Sequence, residues 1–569
     1  MIRIPLSAIL CSTLLTGQGQ VEKATADLVL RNGKIVTVDP DLGTVDALAI
    51  RGDRILAAGT DSEVARYIVD STKILDLNGK MAMPGFIEGH GHFTGVGDAM
   101  QRLDLMHVKN WQEVVAMVAA AVAQARPGEW ILGRGWHQEK WDRVPPGGVE
   151  GFPAHDTLSA VSPNNPVMLT HASGHASFFN AKAMDLAGVD SKTKDPKGGE
   201  ILRDEGGRPI GVFRENATGL VSRARRSGNI RRSRADVRAA LRQTIKLADD
   251  ACLSNGVTSF QDAGSGFGTI DMFREMVDKG ELHTRLWVMI RSSNRLLASK
   301  MADYRMIGHG NNHLTVRAVK RSIDGALGPR GAWLLEPYDD LKSSRGLETS
   351  TVKNVTEMAR LAMKHDFQAC VHAIGDRANR EVLDIFEKQF RANPAKKDLR
   401  WRIEHAQHIH PDDVPRFGKL GIIASMQGVH CTSDAIYVLA RLGEERARTG
   451  AYVWQDLMQT GALVTNGTDA PVENISPIAS FYSTVSRRLK DGSVFFHKQR
   501  MSRMEALRSY TVHAAKAAFE EDIKGTLTPG KLADVVVLSR NLMTCAEKDI
   551  PTTKVLYTIL GGKVRYQAK

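Results

Sequence analysis

Eight short apolar runs, most of them separated by helical patterns, constrain the fold of this 569-residue chain more than any single motif. They lie at 85–92, 256–262, 285–291, 314–323, 368–375, 401–408, 421–427 and 462–469. Between them, apolar residues recur at helical spacing, as in 352–365 and 376–392. Parallel strands need a crossover to connect them, and a helix is the usual crossover. Eight such units predict an α/β fold of the TIM (β/α)8 barrel type, in which chemistry gathers at the C-terminal strand ends.

Those ends carry the residues of interest. His90 and His92 close the first run. Alternate side chains of a strand share a face, so the two imidazoles can hold one metal ion. Alone the pair is a weak signal, because H-x-H occurs by chance in many chains. Downstream, Lys320 ends the fourth apolar stretch, His372 the fifth and His405 the sixth, while Asp469 closes the eighth just before Pro471. Taken singly, His372 or His405 reads as a core histidine satisfied by its neighbours. With all of them on one barrel edge, a metal centre is the better reading. Lys320 has a plain alternative, a barrel lysine paired with Asp324 or Glu404.

The two termini have a different texture. Residues 27–39 read as a hairpin around Asn32-Gly33, 47–60 as another around Gly52-Asp53, and 73–83 as a strand pair around Asn78-Gly79. At the other end, 533–538 is an apolar strand and 555–566 a hairpin around Gly561-Gly562. Neither end has enough strand to bury a core alone, so 21–83 and 520–569 are expected to combine as one β-sandwich, with the barrel at 84–519. The first and second barrel runs are separated by far more chain than a βα loop needs. An insertion of about 110–242 is expected over the barrel mouth, offering Trp130, Trp136, His137, Trp141, His171 and His175 to a substrate pocket. Arg330 and His408, also near the mouth, could hold a substrate carboxylate or carbonyl, or make structural salt bridges.

The net charge of +12 is partly local, in the arginine-rich run 223–238. That run lacks interleaved aromatics and reads as a solvated helix face, not a nucleic-acid surface. Five cysteines show no CxxC spacing and no disulfide framework, and Cys252, Cys370 and Cys431 read as buried thiols. Residues 1–20 resemble a weak secretory signal, which predicts export to the periplasm or beyond; otherwise the protein is cytoplasmic. No stable membrane association is expected, because no segment is long and apolar enough to span a bilayer. The expected partner is a small-molecule substrate, and the assembly is open between monomer and homodimer.

The motifs PGFIEGHGH, THASGHASFFN, GVTSFQDAG, VKRSIDGALGPRGA, VHAIGDRA, RIEHAQ and GTDAPV together resemble the amidohydrolase superfamily, within it the amidohydrolase 3 group that includes N-substituted formamide deformylases. One departure is Glu88, where many members carry aspartate. The resemblance implies a distorted TIM barrel with a composite β-sandwich. It implies His90, His92 and Asp469 as ligands of one metal, and His372 and His405 as ligands of a second. Lys320 would be carboxylated by carbon dioxide to bridge them, since a free ammonium cannot ligate a cation. The implied cofactor is one or two divalent ions, zinc first, and the implied activity is hydrolysis of a non-peptide carbon–nitrogen bond, with Asp469 moving the proton. Esterase, lactonase or phosphotriesterase chemistry is the alternative on the same scaffold, and a non-catalytic metal-binding protein a third.

Overall fold

The computed structural model describes residues 24–228 and 233–569. The N-terminal signal-like segment lies outside the described residues. Eight parallel strands form the barrel: Phe86–Gly91, Val257–Ser265, Arg285–Ile290, Leu314–Ser322, Gln368–Ala373, Arg402–His405, Ile423–Ser425 and Val464–Thr465, each paired with the next in this order. Each falls within or overlaps one of the eight apolar runs. The helices behind them are amphipathic; Val352–Lys364 buries Val355, Met358, Ala359 and Ala362, a stripe with the helical period. Thr351 caps this helix by accepting the Asn354 N–H.

The barrel is filled, not hollow. Trp287, Met289, Ala318 and Cys370 are fully buried together, and the Arg402 guanidinium lies 5.3 Å from the Trp287 ring centroid. Its distortion is local. The seventh and eighth strands are only three and two residues long. The eighth meets the first through single hydrogen bonds from Gly89 N–H to Asn466 O at 3.0 Å and from Asp469 N–H to His90 O at 2.8 Å. Two glycines permit this seam. A Cβ on Gly89 would stand 2.4 Å from Asn466 O, and one on Gly467 would stand 2.7 Å from the His90 nitrogen. Glu88 seals the same seam by accepting the Thr468 hydroxyl at 3.1 Å. Burial raises its carboxyl to about 8, against the pull of the Thr468 N–H and hydroxyl bonds.

Both chain ends form the sandwich. One sheet runs Arg54–Gly59, Ala47–Arg51, Leu28–Arg31, Lys73–Asp76; the other runs Lys563–Gln567, Val555–Leu560, Val535–Leu538, Met81–Pro84, Lys34–Val36, Thr44–Val45. Val535–Leu538 explains its own unbroken apolar character. Val535 and Val537 point into the sandwich core, while Val536 and Leu538 join the barrel-side core. A strand buried on both faces loses the alternation that marks a half-exposed one.

Two expected strand pairs separate. Leu28–Arg31 and Lys34–Val36 enter opposite sheets, as do Lys73–Asp76 and Met81–Pro84. Each N-G turn therefore carries the chain across the sandwich, where both layers can bury their inner faces. The hairpins at Gly52 and Gly561-Gly562 form as expected, with these glycines at positive φ. The insertion is a separate sheet spanning Leu103 to Glu215. The helix Arg234–Ser254 begins within the expected insertion and, past its expected end at about 242, buries Ile245, Ala248 and Cys252 in the barrel core. Trp130, Trp136 and Trp141 correct the expectation that they shape the substrate pocket. They pack in or against the insertion's own cores and line neither cavity at the barrel mouth.

Candidate metal centre at the barrel mouth

The C-terminal strand edge brings His90, His92, Lys320, His372, His405 and Asp469 to one cavity region, with His175 reaching in from the insertion. Ring centroids of His90 and His405 are 4.6 Å apart, those of His372 and His405 4.5 Å, and those of His175 and His372 4.9 Å. Asp469 Oδ1 lies 3.3 Å from His92 Nε2 and 3.6 Å from His90 Nε2. The donor atoms of His90, His92 and Asp469 all fall within 4.8 Å of one another, and so do those of His405, His430 and Asp469.

Local backbone explains how neighbours in sequence reach different places. Register aligns Ser322, His372 and Glu404 across three strands, which puts Glu404 on the inward face. His405 would then face outward, but its φ of 77° turns the chain and returns the imidazole to the cavity. Asp469 is also left-handed, at φ 56°. Non-glycine residues held there cost of order 1–3 kcal/mol each, and such strain concentrates at functional sites.

Outer contacts orient the rings. Glu404 binds His90 Nδ1 with one oxygen while Arg402 Nε stands 2.7 Å from the other. Gln427 Oε1 lies 2.8 Å from His405 Nδ1, and Glu215 Oε2 lies 2.7 Å from His175 Nδ1. Asp324 accepts the N–H groups of Trp333, Ile374 and Gly375, and its Oδ1 lies 3.4 Å from His372 Nε2. On His90, His405 and His175 the partner takes Nδ1 and leaves Nε2 for a metal, whereas on His372 the Asp324 carboxylate approaches Nε2 itself.

A divalent ion fits this donor set. Among the described residues, the buried Nε2 atoms of His90 and His372 have no hydrogen-bond partner, an arrangement costly to leave unfilled. Burial holds His90 down to about 4 and His372 and His405 well below the ordinary imidazole range, so the rings are neutral, as ligation requires. Asp469 stays a carboxylate: burial opposes the charge, but the His92 hydrogen bond and the surrounding imidazoles outweigh it. Burial lowers Lys320 to about 8, although Glu404 pulls the other way.

Other expected residues lie elsewhere. His171 stands behind the cavity wall, with Ser173 Oγ 2.8 Å and Gln138 Oε1 3.1 Å from its ring nitrogens. His408 is buried and lines a different cavity, beside Arg380 and Arg446. Arg330 is tied to Asp340 at 3.0 Å and Glu150 at 3.5 Å, its salt-bridge alternative. Sequence reasoning missed Glu215, Gln427 and His430 as site residues. Gln427 ended a predicted strand, which was a usable hint, whereas Glu215 joins the site only through the insertion.

A parallel eight-stranded barrel with buried histidines and an aspartate at its C-terminal edge defines the class of barrel metal-dependent hydrolases. More narrowly, residues 73–566 match the family model described as amidohydrolase family, and the chain belongs to that family. It is 36% identical over 554 residues to Protein LONG AFTER FAR-RED 3 of Arabidopsis thaliana, covering 95% of this chain and 92% of that protein. It is 28% identical over 549 residues to N-substituted formamide deformylase of Arthrobacter pascens, covering 95% and 98%. An uncharacterized metal-dependent hydrolase from Pyrococcus horikoshii OT3 superposes with a TM-score of 0.72 at 26% identity, covering 92% of this chain and 99% of that one.

Proposed function

We propose that this protein hydrolyses a non-peptide carbon–nitrogen bond, an amide of a small molecule, using one or two divalent ions, zinc first. His90, His92 and Asp469 would hold one ion; His372, His405 and a carboxylated Lys320 would hold the second. The observation that carries this reading is that the Nε2 atoms of His90 and His372, without hydrogen bonds among the described residues, stand 3.6 Å from Asp469 and 3.4 Å from Asp324, respectively, beside a cavity that both carboxylates line. Similarity to N-substituted formamide deformylase supports the amide class.

When bound, a divalent ion supplies Lewis acidity toward a carbonyl oxygen and makes water more acidic. The protein's own groups then have distinct tasks. Asp469 accepts a proton from the attacking water as the oxygen–carbon bond forms, and hands it to the nitrogen as the carbon–nitrogen bond breaks. His175, with Nδ1 taken by Glu215, keeps Nε2 for the substrate carbonyl. Glu404 keeps His90 oriented. Lys320, with its pKa reduced to about 8, keeps a share of neutral amine, the form that adds carbon dioxide.

Elemental analysis of purified protein should find one to two divalent ions per chain, and chelation should abolish turnover. A panel of N-formyl and N-acyl amides, lactones and phosphotriesters should show amides turned over fastest. Full turnover by metal-free protein would remove the metal assignment, and faster lactone or phosphotriester turnover would replace the amide one.

A further inference from the structure

The cavity above the ligand cluster encloses about 780 Å³, ample for a small-molecule substrate. A second pocket of about 40 Å³ shares His175, His372, His405 and Asp469 with it, so the cluster stands between a large and a small chamber. The small one has room for about three waters, at roughly 10–15 Å³ of accessible volume each. It admits only a compact group, and the bulk of any substrate must occupy the large chamber.

Charge in the large chamber is unbalanced. Its acidic groups are all engaged: Asp98 with Arg102, Glu215 with His175, Asp324 with three backbone N–H groups, and Asp469 with the histidines. The arginines on its wall are not matched to them. Arg291 Nη2 reaches only the Ser322 hydroxyl at 3.4 Å, and Arg321 Nη2 donates to Ser292 O at 2.8 Å and Asn294 Oδ1 at 2.6 Å. Among the described residues, neither guanidinium makes a close ion pair, although the buried Asp262 carboxylate acts on Arg291 from farther away. They come from adjacent strand ends, the third and the fourth, and Arg321 directly follows Lys320. The backbone also makes room for Arg291: a Cβ on Gly264 would stand 2.9 Å from the arginine's own Cβ and Cδ. At the outer rim, the helix Thr218–Gly228 adds Arg223 and Arg226. The expected solvated arginine face therefore partly faces the cavity, where clustered positive charge attracts anions.

We propose that the substrate is an anionic amide, an N-acyl amino acid or close analogue, whose carboxylate is bound by Arg291 and Arg321 in the large chamber while a small acyl group enters the small one. Guanidinium suits this task because its planar fork matches a carboxylate with two parallel hydrogen bonds. Calling the ligand an amide rests on the hydrolase reading above; the carboxylate site does not.

The test is calorimetric binding to the metal-replete full chain, using two hydrolysis-resistant probes. N-methanesulfonyl-phenylalanine carries the carboxylate, and N-methanesulfonyl-phenethylamine lacks it. The charged probe should bind at least about tenfold more tightly, the scale expected of a charge-assisted contact. That ratio should fall toward one in R291Q and R321Q, while R291K, which keeps charge without the fork, should fall between. If a glutamine variant does not fold, R291K and the corresponding R321K read the same ratio. A wild-type ratio within about twofold of one would overturn the proposal. So would a ratio preserved in all variants, since the charge would then be read elsewhere, for example by the metal. If the probes behave as expected but no amide is hydrolysed, the anion site stands and the hydrolase reading falls.

Discussion

Replacing Glu404 with glutamine isolates the contact that orients His90. Both partners are fully buried, and the carboxylate binds the imidazole Nδ1 with one oxygen while its other oxygen faces Arg402 Nε at 2.7 Å. Glutamine keeps the size and one acceptor but removes the charge that stabilises the imidazole's N–H and its ligand basicity. Loss of such an outer contact typically weakens metal binding about 10- to 100-fold, or roughly 1.4 to 2.7 kcal/mol. The upper half is expected here, because E404Q also leaves the Arg402 cation buried without its counter-ion, next to the site. Arg402 keeps bonds to Gln261 Oε1 at 2.5 Å, Gly89 O at 2.7 Å and Ser425 Oγ at 2.6 Å, so the barrel seam should hold. The assay is competition with a chromophoric chelator across a metal titration, with a thermal melt in parallel. A dissociation constant at least about tenfold weaker, with the apo melt little changed, is the expected result. If E404Q binds metal within about threefold of wild type, the carboxylate does not govern His90. A matched loss in metal affinity and apo stability would mean that it acts only through the fold.

In metal-saturated protein, Asp469→Asn should lower turnover by about 10² to 10⁴, and a mutant keeping more than a tenth would move the proton to another group, with His175 next in line. Lys320→Ala should lower metal content and activity, with partial rescue by short carboxylic acids plus bicarbonate; an unmodified lysine in a fully metallated, active crystal would reject the carbamate. Far from the site, Asp534 receives Arg285 Nε at 2.7 Å and Nη2 at 3.0 Å, joining the sandwich to the third barrel strand. Burial opposes the Asp534 charge, but Arg285 holds its pKa below the ordinary value. Its contribution is therefore complete above the unfolded pKa of about 3.9 and is lost as pH falls through the lower folded value. Asp534→Ala should cost roughly 3–5 kcal/mol near neutral pH, seen as a lower unfolding temperature, and the gap to wild type should narrow below about pH 4. An unchanged unfolding temperature at pH 7, or a gap that widens in acid, would contradict this account.

Much of the architecture is legible along the chain because its signals are local. Strand alternation, helical stripes and N-G turns are read within a few residues, so the eight barrel strands and the separate texture of the termini show in the sequence. His90, His92, Lys320, His372, His405 and Asp469 are visible for the same reason, each sitting at or near the end of an apolar run. Turn chemistry does not say which sheet a strand joins. Asn32-Gly33 and Asn78-Gly79 look like hairpin turns, yet each passes between layers, because burial of both inner faces is decided by strands hundreds of residues away.

The site divides in the same way. Residue type and position at a strand end determined which groups could be ligands. Tertiary packing decided which of them meet, placing His175 against His372 and sending His408 to another cavity. It also decided what surrounds them. Glu404, Glu215 and Gln427 gained their roles from partners across the barrel or in the insertion. Arg291 and Arg321 stand out only because the acidic groups of the same cavity are engaged elsewhere. Charge balance and desolvation belong to a volume, and a volume is enclosed only when distant segments come together.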